Sequence, residues 1–247
     1  RHRSDPPLAG ANGYRRRSGV PLSRTKSRRI EAFVLAGALV GWSFTAGLAH
    51  PWRRHPVAQA ALGTALALIT RAPLGFRPPS LRPGLRSGAV AAGVVMASVA
   101  GATIIPQVRA GMAERELPRR LGHWLAVEIP LGTVWSEEMA FRGALAAVAS
   151  TAFGPTGGRL LQATAFGLSH ISDARANSEP IAGTVVVTGL AGWLLGWLAQ
   201  RSGSLAAPML THLAINEAGA LAALATQRRS AVGKFANVKT RDETASR

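Results

Sequence analysis

Two stretches of this chain carry no charge at all: AFVLAGALVGWSFTAGLA at 32–49 and SGAVAAGVVMASVAGATIIPQV at 87–108. A run of about 18 apolar residues is the length a helix needs to cross a bilayer core. In that medium every backbone polar group must be satisfied within the segment or by a neighbour, which leaves helices as the economical choice. Composition agrees, since 47% of the 247 residues are hydrophobic and only 17% are charged. The charges crowd into the first 29 residues, a few short connectors and the C-terminal segment. The expected fold is therefore all-α, a polytopic membrane helix bundle of about eight transmembrane or partly immersed helices.

Apolar runs place those helices near 31–49, 57–71, 86–106, 121–137, 139–153, 158–171, 181–200 and 204–225, with FGPTGG (153–158) and RSGS (201–204) as turn clusters between spans. Residues 1–29 read as a basic, disordered cytoplasmic tail, 30–226 as the membrane bundle, and 227–247 as a second basic cytoplasmic tail. The first apolar run reads as a retained span, because no small-x-small cleavage site follows it. An even number of spans puts both tails on one side, and that side then carries most of the lysines and arginines. Both termini are accordingly expected in the cytoplasm, with the protein in the plasma membrane. The formal net charge of +17 sits in tails and connectors instead of on one face interleaved with aromatics, so nucleic acid is not the expected partner. Membrane lipid is. With no cysteine, thiolate metal ligands and a cysteine nucleophile are excluded.

Against this apolar background, TVWSEEMAFRGAL (133–145) places Glu137 and Glu138 side by side, with Arg142 four residues after the second. Helical spacing puts Glu138 and Arg142 on one face, close enough to pair, and rotates Glu137 by about 100° away from them. Further on, AFGLSH (165–170) aligns Phe166 with His170, and THLAIN (211–216) aligns His212 with Asn216. Ionisable groups inside membrane spans are costly and face the bundle interior. Glu137, His170, His212 and Asn216 can then form one cluster holding a base, two imidazoles and an amide donor. Peptide hydrolysis needs such a set, to activate water and to stabilise an oxyanion. No carboxylate–His–Ser order is evident and HExxH is absent. Zinc on Glu137, His170 and His212 stays open by spacing alone. Glu128 is a further intramembrane carboxylate, about half a turn away round the helix and not assigned to the cluster.

EEMAFR, FGLSH and HLAIN fit the EExxxR, FxxxH and HxxxN patterns in order, and about 120–225 resembles the CPBP family of intramembrane proteases. That family includes the type II CAAX prenyl endopeptidases and bacteriocin-processing or immunity proteins. The resemblance implies that Glu137 is the general base acting on water, with His170 helping to hold that water. It implies that His212 and Asn216 stabilise the oxyanion, with Glu138, Arg142 and Phe166 in support. The residues favour a metal-free glutamate mechanism. The expected activity is endopeptidase cleavage of a membrane-associated or lipidated protein or peptide. The alternatives are a non-catalytic immunity or scaffold protein of the same fold, and a small proton-coupled transporter.

Overall fold

The structure, a computed structural model, describes residues 22–45, 52 and 55–245. Among these residues every regular element is helical. In chain order they are α1 (Leu22–Phe44), α2 (Pro56–Ile69), α3 (Leu81–Ala102), α4 (Pro106–Glu114) and α5 (Leu121–His123). The wide-turned π1 (Trp124–Trp135) and π2 (Glu138–Leu145) come next, then α6 (Ala146–Ser169), α7 (Ile171–Ala176), α8 (Ile181–Ser202) and α9 (Ala206–Ala245). By length and composition α3 and α8 can cross a membrane, and α2 is a shorter apolar helix. Of the expected N-terminal tail, residues 1–21 lie outside the described residues; α1 begins at Leu22, and α9 continues through Ala245.

Proline and glycine set the ends of the rods. Pro56 and Pro106 each open a helix after an extended residue, where the missing N–H costs nothing. That explains why the third rod stops at Ala102 and a separate α4 begins at Pro106, where one continuous span to 106 was expected. Gly154, at φ 76° and ψ 171°, breaks α6 internally just before Pro155, where the FGPTGG cluster predicts a turn.

The expected break after residue 137 is absent. Ser136 and Glu137 both keep right-handed helical angles, so the chain runs on helically from Leu121 to Phe153. Two adjacent carboxylates change the solvation of a helix but remove no backbone donor, so they do not end it. The fourth and fifth expected spans are thus one rod. The described bundle has seven long rods: α1, α2, α3, the 121–153 rod, the second part of α6, α8 and α9.

Contacts at the two ends fix the consequence. Arg29 stacks over Phe153, Gln200 donates to the Pro155 carbonyl, and the Leu205 amide donates to the Leu74 carbonyl. The start of α1, the Gly154 break, the α2–α3 connection and the α8–α9 turn therefore share one end. At the opposite end Arg175 lies over Phe44, and Gln227 donates to the Met112 and Arg115 carbonyls. So the described rods begin with α1 at one end of the bundle and α9 runs toward the other, where an even number of spans was expected. Among the described residues, lysines and arginines divide almost evenly between the two ends. The charge rule no longer orients the chain.

Small residues let the rods approach. A Cβ on Gly167 would meet the Val185 carbonyl oxygen at 2.6 Å, and one on Gly192 would meet Phe166 at 3.0 Å, so α6 and α8 pack nearly backbone to backbone. A buried cluster including Ala32, Leu39, Phe141, Leu145, Ala149 and Phe166 ties α1, π2 and α6 together. This frame holds the polar residues.

Candidate active site

Glu137 and Glu138 lie midway along the 121–153 rod, at the junction of π1 and π2. A position at the end of a span was expected; the continuity of the rod moves them into the bundle interior. Wide π turns are uncommon and recur at functional positions in helices. Ser136 occupies the same junction and donates to the Gly132 carbonyl one turn earlier.

Glu138 is fully buried and joins two partners. Its Oε1 lies 3.0 Å from an Arg142 terminal nitrogen and 2.7 Å from His212 Nδ1. The expected pairing with Arg142 is present; the bond to His212 was not anticipated, because helix spacing reports neighbours within one helix and not across two. The arginine contact is an ion pair without an aligned hydrogen bond, since none of the three Arg142 guanidinium nitrogens has an acceptor. The guanidinium instead rests on the Phe166 ring, 3.9 Å from its centroid. Phe166 also meets His170 edge-on at 4.7 Å and His212 at 6.1 Å. Its place in the FxxxH pattern thus has a physical basis: one ring supports the arginine and both imidazoles.

The histidine tautomers follow from their partners. A carbonyl can only accept, so His170 Nδ1, 2.8 Å from the Phe166 oxygen, carries a proton and leaves Nε2 free. His212 Nδ1 donates to the Glu138 carboxylate, which turns His212 Nε2 toward Glu137, 3.8 Å from its Oε2. That Glu137 oxygen is buried and has no hydrogen-bond partner. At 3.8 Å the two atoms are too far apart for a direct bond but within reach of one shared water.

Glu137 and His170 line one cavity of about 420 Å³. Leu35, Leu39, Leu62 and Leu66 of α1 and α2 form its apolar wall, while Gln59 and Asp173 add polar groups. His212 stands behind Glu137 and is not part of that wall. Asn216 lies one turn beyond His212, and its amide nitrogen donates to the His212 carbonyl at 3.2 Å, within its own helix. The structure thus brings Glu137, Glu138, Arg142, Phe166, His170 and His212 together and turns the Asn216 amide back to the backbone. Asp173 escaped the sequence reading because it lies in the short α7 after the motif histidine; partial desolvation holds its carboxyl above the ordinary value, with His170 opposing and Glu179 adding to the shift. Among the described residues no group of three His, Asp or Glu side chains is placed to hold a metal ion. Glu128 is paired with His123 at 3.0 Å on the exposed surface, away from the cavity.

The structure thus holds an interior Glu–His–His cluster beside a partly apolar cavity in a helical bundle. Residues 120–218 match the family model described as Type II CAAX prenyl endopeptidase Rce1-like. The match spans α5 through the part of α9 that bears His212 and Asn216, and it agrees with the resemblance carried by the three motifs. No curated protein and no solved structure matches the chain.

Proposed function

We propose that the protein is an intramembrane endopeptidase that cleaves a peptide bond in a membrane-associated or lipidated protein or peptide. The observation that carries this reading is the unpartnered Oε2 of Glu137, 3.8 Å from His212 Nε2, on the wall of a cavity shared with His170. A water held between Glu137 and His212 gives its proton to the carboxylate as its oxygen attacks the scissile carbonyl. His170 Nε2 faces the same space and steadies the water or the leaving amine. His212, held by Glu138 in the tautomer that frees Nε2, takes that proton on from Glu137 and donates it in a hydrogen bond to the carbonyl oxygen as negative charge develops there. The proton returns by the same path to the leaving amine as the C–N bond breaks. Asn216 joins His212 when its amide rotates away from the His212 carbonyl. All of this chemistry uses side chains of the chain itself, without a metal.

The apolar wall from α1 and α2 suits an extended peptide segment with aliphatic side chains, entering from the lipid. In this reading the seven rods are membrane passes, the setting is the plasma membrane, and nucleic acid has no part. The inward turn of Asn216 favours a second reading, a non-catalytic immunity or scaffold protein on the same frame. The two separate in a cleavage assay with purified protein and membrane peptides. Glu137→Gln should lower turnover by at least about a thousandfold, the scale on which loss of an essential catalytic group acts. Equal cleavage by the variant would remove the mechanism, and an unaltered cellular phenotype in Glu137→Gln would support the scaffold.

A further inference from the structure

We infer that the groove between α3 and α9 is a binding site for one anionic phospholipid, with an acyl chain along the helices and the phosphate on Arg109 and Arg229. The inference rests on the membrane setting and not on proteolysis. The two helices run side by side in the same direction. Near their starts they are pinched together: a Cβ on Gly84 would meet Ser204 at 2.6 Å, and one on Gly88 would meet Ala207 at 2.9 Å. Farther along, a cavity of about 590 Å³ lies between them, lined by Met96, Val99, Thr103, Leu221, Ala222 and Ala225 among others. Met96 and Leu221 are each about half exposed, and α3 has little cover from the rest of the protein.

Charge marks one end of this groove. Arg109 of α4 and Arg229 of α9 both line it, both are exposed, and neither has a carboxylate partner among the described residues. Gln227 fixes α4 across that end by donating to the Met112 and Arg115 carbonyls at 3.2 and 2.7 Å. Two unpaired guanidinium groups above an apolar slot between helices match a phosphodiester above a hydrocarbon chain. The occupant is therefore a lipid of net negative charge.

The test uses the full chain purified in a non-ionic detergent and titrated with phosphatidylglycerol, phosphatidylcholine or inorganic phosphate. Binding is read by native mass spectrometry and by thermal shift. Phosphatidylglycerol should bind about thirtyfold tighter than phosphatidylcholine, roughly the product of two interfacial arginines. The paired change Arg109→Gln with Arg229→Gln should cut that preference below about threefold, while Arg119→Gln with Arg120→Gln should leave it intact. If the first pair does not fold, Ala225→Phe, which fills the groove, should weaken both lipids together. No preference in the unaltered protein, preference retained in the Arg109/Arg229 variant, or undiminished lipid binding by Ala225→Phe would each overturn the site. So would inorganic phosphate reproducing the full thermal shift, because the acyl chain would then contribute nothing. Cleavage failure in the Glu137 experiment leaves this result independent.

Discussion

Glu138 holds both an arginine and a histidine with a single oxygen, so its two variants should behave differently. Glu138→Ala strips Arg142 of its ion-pair partner, and breaking a buried pair in this way costs about 3–5 kcal/mol. Glu138→Gln keeps the volume and an acceptor for His212 Nδ1 but removes the negative charge beside it. We expect Glu138→Ala to lower the unfolding temperature in detergent sharply. Glu138→Gln should lose less stability and still lose most of its turnover, a split that a purely structural role for Glu138 would not produce. The residue scale is also where the sequence was most informative. The i,i+4 spacing of Glu138 and Arg142 survived the change to wide turns, because four residues remain close to one turn in either helix type. The Glu138–His212 bond was illegible, since it joins residues 74 apart in sequence, on two rods.

Elements fared unevenly, and the reasons are local. Rod starts at Pro56 and Pro106 and the break at Gly154 follow from residues whose backbone limits are intrinsic. Continuity through Glu137 was missed because charge was read as a boundary where only backbone geometry could make one. The π turns of 124–145 leave no compositional mark of this kind. One element contact bears directly on the site: a Cβ on Gly63 would lie 2.6 Å from the Ser136 carbonyl oxygen, backbone against backbone. Gly63→Ala must therefore move α2 away from the residue that precedes Glu137. Overpacking of this type costs about 1–3 kcal/mol. It should appear as a reduced unfolding temperature together with a raised KM, because α2 also supplies the apolar wall of the cavity; an unchanged KM would show that the wall does not meet the substrate.

On the scale of the whole molecule, the odd number of rods makes a plain statement about the two ends. Epitope tags placed at the N- and C-termini of the protein in sealed membrane vesicles should show opposite protease protection, and equal protection of both would refute the seven-pass arrangement. The expected and described rod counts differ by one boundary, which changes the parity of every later connection. The near-even division of lysine and arginine between the ends has a consequence of its own. In the seven-pass reading, orientation would rest on a margin of very few charges. Relocating two or three arginines among the connectors would turn the whole bundle over, carrying the cavity mouth to the other compartment without disturbing a single packed side chain.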